Sequence, residues 1–193
     1  RIIFNGNGYS DEWVEEAERR GLPNIKSMVE AVPTLVTDKA VALFEKFGIF
    51  TKAELESRAE VLYEIYAKTI NIEALTMCEI ALNQILPAAT QFTTMLAENI
   101  INLKSLGMET TAQKDILENV SKLITAAYGA QQRLSDVQLA VKNESDLQTE
   151  ANLCYSQVFA AMQELRTFCD RLETLLPKNM WPFPTYGDLL LYV

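Results

Sequence analysis

Two stretches of this chain repeat apolar residues in alternating steps of three and four with no interruption. The first is Ile116, Val120, Leu123, Ala127, Ala130, Leu134, Val137 and Val141. The second is Leu147, Ala151, Cys154, Val158, Ala161, Leu165, Phe168, Leu172 and Leu175. A helix turns once in 3.6 residues, so each set forms one stripe, and stripes of this kind bury themselves against other helices at shallow angles. A third, longer segment follows the same grid through Ile72, Leu75, Leu82, Leu86, Ala89, Leu96, Ile100 and Leu103, with Glu79 and Thr93 interrupting it. That segment carries a second apolar row, Ile70, Ala74, Met77, Ala81, Ala88, Phe92 and Met95, which predicts cover on two sides.

Punctuation sets the element boundaries. Ser10 followed by Asp11 and Glu12 reads as a helix cap with carboxylates at the positive end of the helix dipole, and the helix SDEWVEEAERR stops at Gly21 with Pro23 beyond. Thr37 to Phe47 forms a second short helix before Gly48. Thr51 with Glu54 is a capping box opening a helical pattern that runs to Leu106 and Gly107. Pro87 removes a backbone donor inside it and predicts a kink near Leu86. Thr110 with Gln113 and Ser145 with Gln148 read as the boxes opening the two later helices. The expected fold is all-α, an antiparallel bundle with one very long kinked helix, a long helical hairpin and short N-terminal helices.

The chain reads as one domain over 1–193: short helices and a turn in 1–50, the long helix in 51–106, the hairpin in 110–176 and a docked proline and aromatic tail in 177–193. About 55 residues of helix reach roughly 80 Å, whereas each hairpin arm of about 30 residues reaches roughly 45 Å. The hairpin therefore covers about half of the long helix, the half containing Pro87. The other half, near 51–70, is expected to pack with the small helices and the tail.

Composition excludes several functions. The chain contains no histidine, so it supplies neither a Ser-His-Asp nor a Cys-His arrangement, nor a histidine-containing zinc site. A formal charge of −9 without a basic run disfavours phosphate backbones and anionic membrane surfaces. Cys78, Cys154 and Cys169 lie among apolar neighbours without CxxC spacing and read as buried free thiols in a reducing, cytoplasmic setting. The uncharged stretch 80–97 is too polar for a membrane span. The start at Arg1 is expected of a piece of a longer protein.

No catalytic, cofactor-binding or metal-ligating residue is predicted. The Asn-Gly pairs at 5–8 lack a phosphate-loop pattern and read as a turn, on the ground that both residue types tolerate positive φ. Glu12, Glu15 and Glu16 read as a self-paired helix, through Glu15–Arg19 and Glu16–Arg20. Asn71 and Glu73 stand in an apolar helix. They either contact another domain, or are satisfied by an internal hydrogen bond or by exposure. Trp181, Phe183 and Tyr186 in WPFPTYGDLL carry too much aromatic area for a free tail, so the tail is expected to dock.

Three stretches taken together, IIFNGNGYSDEWVEEAERRGLPN at 2–24, KTINIEALTM at 68–77 with QILPA at 84–88, and WPFPTYGDLL at 181–190, resemble the C-terminal region of type III glutamine synthetases. Between 105 and 175 the likeness is one of helical pattern alone. The resemblance implies a parent that is an ATP- and Mg²⁺-dependent ligase, making glutamine through a γ-glutamyl phosphate and assembling as a dodecamer of two hexameric rings. It implies that the metal- and nucleotide-binding residues lie upstream of Arg1. The partners implied are the catalytic domain of the same chain and neighbouring subunits, with no nucleic acid and no membrane. A different class, a free-standing helical module binding a partner protein along an apolar groove, is also compatible with the helical pattern.

Overall fold

The computed structural model describes residues 3–190. Arg1 and Ile2, at the head of the expected extended piece, and residues 191–193, at the end of the expected tail, lie outside the described residues. The described chain is helical and without strands. It forms two compact units, residues 1–63 and 64–193.

In the first unit α1 (Asp11–Arg19) and α2 (Met28–Ala31) precede a 3₁₀ turn at Val32–Val36 and α3 (Asp38–Lys46). The long α4 (Lys52–Ile80) begins here and continues into the second unit. Gly21 and Gly48 close α1 and α3 with φ of 70° and 61°, a region that side chains with a Cβ rarely adopt. Thr51 and Glu54 form the expected box: the Thr51 N–H donates to the Glu54 carboxylate at 2.7 Å, and the Glu54 N–H to the Thr51 hydroxyl at 3.4 Å. Ser27 and Glu30 form a second box at α2. Sequence reading passed over it, because α2 has four residues and no apolar periodicity.

Other caps differ from expectation. Ser10 occupies the cap position of α1, but its hydroxyl donates to the Asn7 carbonyl at 2.8 Å and makes no cap bond. Thr110 makes no cap bond at α6 (Thr111–Val141), so the Thr110–Gln113 box does not form. Its φ of −132° and ψ of 24° fall outside the extended geometry that aims a cap oxygen at the helix. The last long helix is capped by Asp146, whose carboxylate accepts from the Thr149 N–H at 2.8 Å, in place of Ser145 with Gln148.

In the second unit α4 passes through a π-turn at Ala81–Ile85 into α5 (Leu86–Ser105). The Leu86 N–H bonds to the Ala81 carbonyl five residues back. Pro87 thus sits in the first turn of α5, where its missing N–H costs nothing. A second π-turn, at Cys154–Val158, joins α7 (Leu147–Leu153) to α8 (Phe159–Leu175) without any proline. Short connections make α5, α6 and the α7–α8 arm antiparallel neighbours, with α6 packed between α5 and α8. Leu134, Leu165, Leu172, Val120 and Val158 are sealed in the core.

The first π-turn explains a difference from the expected grid. Ile72, Leu75 and Leu82 are exposed, Ile72 by 63%, while Leu86, Ala89, Leu96 and Ile100 of the same grid are buried. Ahead of the turn it is Ile70 and Ala74 of the second row that are buried, and Phe92 of that row is buried after it as well. A strict heptad grid drifts about 20° per repeat around a straight helix. A π-turn absorbs one extra residue, equivalent to about 100° of helical rotation, so the grid row turns inward after it.

Candidate functional site: an apolar surface

The NGNG segment is a turn, for a different reason than expected. The Tyr9 N–H bonds to the Asn7 side chain at 3.0 Å, and the Ser10 N–H to the Asn7 carbonyl at 3.1 Å. Neither Gly6 nor Gly8 has positive φ. A Cβ at Gly6 would lie 2.6 Å from the Phe4 ring, which meets Trp13 of α1 tilted at 4.9 Å, so that ring would have to shift.

The acidic helix α1 is self-paired, with Glu16 as its hub. Glu16 binds Arg19 and Arg20, each at 2.6 Å, so Arg19 pairs with Glu16 rather than with Glu15. Hydrogen bonds from Arg19 and then Arg20 hold the Glu16 carboxyl down at about 2. Arg20 also donates to the Ile3 carbonyl at 2.7 Å and lies over the Trp13 ring, which ties the start of the chain to α1.

Asn71 has an internal partner. The Gln138 amide, buried on α6, donates to the Asn71 carbonyl at 3.2 Å and to its side-chain oxygen at 3.3 Å. Gln138 accepts in turn from the Cys78 thiol at 3.9 Å. Glu73 and Glu79 are exposed, and the Thr93 hydroxyl donates to the Thr90 carbonyl within its own helix. All three thiols are buried, and burial pushes Cys154 and Cys169 up to about 11 and raises Cys78. They are therefore protonated at neutral pH and poor nucleophiles.

The tail docks on the second unit. Trp181 is 8% exposed and joins the core, meeting Phe183 edge-on at 5.1 Å, and the Lys178–Met180 turn packs against α5. The tail therefore covers the Pro87-containing half of the long helix, where the helix length argument had put it with 51–70. Lys178 pairs with Asp188 of α9 (Tyr186–Leu190), and Thr185 also bonds to that carboxylate; these bonds, that from Lys178 first, hold it at about 2.

Among the described residues no three His, Cys, Asp or Glu side chains converge to hold a metal ion, and no described helix is long and apolar enough to cross a membrane. What the first unit does offer is an apolar hollow of about 470 Å³. Leu35, Phe44, Phe50, Leu55, Val61 and Leu62 line it. The Arg58 guanidinium lies 4.2 Å above the Phe50 ring at its edge. Leu43, Phe47 and Ile49, on and just after α3, are exposed. Sequence reading missed this surface, because an apolar row looks the same whether or not a neighbour covers it.

The glutamine synthetase C-terminal domain family model matches residues 1–104. A glutamine synthetase of Butyrivibrio fibrisolvens is 37% identical over 98% of this chain, and a type-3 glutamine synthetase of Dictyostelium discoideum is 32% identical over 98%. A glutamine synthetase of Bacteroides fragilis is 28% identical, again over 98% of the chain. In each case the chain spans 27% of the relative's length. The family model spans more than half of the sequence, and this chain belongs to the glutamine synthetase C-terminal domain family.

Proposed function

We propose that this chain is an accessory helical domain of an ATP- and Mg²⁺-dependent glutamate–ammonia ligase. It supports the catalytic part of the polypeptide and the contacts between subunits, and contributes no catalytic residue. The observation that carries this reading is similarity along 98% of the chain to a type-3 glutamine synthetase, in which the matched part is 27% of the whole. Magnesium and ATP supply phosphoryl activation of the substrate carboxylate in such a ligase. Among the described residues no three His, Cys, Asp or Glu side chains converge, so no residue of this chain is assigned to magnesium.

The parent polypeptide should form glutamine from glutamate, ammonia and ATP with magnesium present. Deleting residues 111–176 from it should lower the yield of the dodecamer and its thermal stability. Molecules that still assemble should keep their turnover. Native-like assemblies that had lost turnover after the deletion would show that the hairpin takes part in the chemistry.

A further inference from the structure

The first unit is apolar at its surface and thin at its centre. Its buried residues are Val29, Val32, Leu55, Ala59 and Tyr63, and α1 and α3 have no buried residue at all. Yet Leu43 is 53% exposed and Phe47 64%, and Ile49 and Val61 are exposed as well. Units of about 60 residues are marginal even with a full core. Each aromatic and branched side chain left in water forfeits the stabilisation that burial would give it.

We infer that the α3 face of this unit is an interface, and that its occupant is the remainder of the same polypeptide. This inference rests on the reading that the chain belongs to a longer ligase. Nearly three quarters of the relatives' length lies outside the matched region, so a large covalently continuous partner exists for the face. Tethering holds such a partner at a high effective concentration, which a separate protein lacks. The family match contains the whole of this unit. The hollow states the chemistry of the docked segment. Its apolar wall takes a large apolar side chain, and Arg58, which also lines it over the Phe50 ring, offers its charge to a carboxylate beside that side chain.

The test uses the full-length parent carrying Phe47→p-benzoylphenylalanine. Irradiation should give an adduct to a peptide outside residues 1–193, migrating on a denaturing gel at the mass of one polypeptide. An adduct between two polypeptides, an adduct within residues 1–193 or no adduct would each overturn the assignment. In a second measurement on the full-length parent, Leu43→Asp with Phe47→Asp should make trypsin cut within residues 1–63 about tenfold faster, since cleavage follows the open population. The control Leu139→Asp, on the exposed face of α6, should leave the rate unchanged. Unaltered resistance in the double variant would also overturn the proposal. Both readouts are independent of turnover, so an adduct in a protein without ligase activity would sink the proposed function and leave the interface standing.

Discussion

Gln138 reaches from α6 to Asn71 on α4, 67 positions earlier, and bonds both the main-chain carbonyl and the side-chain oxygen of that residue. It is one of the few buried polar residues, beside Thr110 and Gln131, and it joins the long helix to the hairpin. Gln138→Ala removes these bonds and leaves the partly buried Asn71 side-chain oxygen without this donor, so it should cost about 1–3 kcal/mol in urea unfolding of the chain. Gln138→Leu with Asn71→Leu should cost less than Gln138→Ala alone, since no orphaned group remains. A double variant weaker than the single one would contradict this.

Leu165 and Ile72 look equivalent in the apolar pattern, but Leu165 is sealed in the core and Ile72 is exposed. Leu165→Ala should cost about 2–5 kcal/mol through lost contacts and the cavity left behind. Ile72→Ser should stay within about 0.5 kcal/mol in the isolated chain. Parallel chemical denaturation of the two variants checks the contrast.

Acid should weaken the fold through Glu16 and Asp188. Both carboxyls sit at about 2 in the folded chain, against ordinary values of 4.5 and 3.8. A group with a depressed folded pKa stabilises the fold above its unfolded value, and that contribution fades as pH falls through the window down to about 2. Both groups are at the surface, so the effect is small and screened by salt. Glu16→Gln with Asp188→Asn should flatten the fall in melting temperature between pH 4.5 and 2. An unchanged slope would argue against the pairing.

The thiols predict the opposite limb. Cys154 and Cys169 are raised to about 11 from an ordinary 9. Their contribution is intact below pH 9 and is lost as pH rises toward about 11, because the unfolded chain releases those protons first. Native protein at neutral pH should react with a thiol reagent far more slowly than protein in denaturant, where all three cysteines should label.

The helices were legible because their spacing and stops are local. Gly21, Gly48 and Gly107 end helices with positive φ, and a Gly after a periodic run announces this in any sequence. Cap identity was legible only in part. Ser145 and Asp146 are both competent, and the backbone angle at Asp146, φ −89° and ψ 116°, decides between them. Tertiary context sets such an angle. The apolar surface of the first unit was not legible, since Phe44 and Phe47 carry the same side chain three positions apart, and only Phe44 lines the hollow.

The wide turn at Ala81–Ile85 bears on how this long helix tolerates insertions and deletions. Losing one residue there would convert the turn to ordinary helix and leave the downstream rows in phase, with Pro87 then the only obstacle to a regular ladder. Losing one residue from α6 would turn every later core position about 100° toward solvent. Aligned sequences of this family should therefore place single-residue gaps at the turn and spare the middle of α6, recording in gap positions where the chain can change length without losing its core.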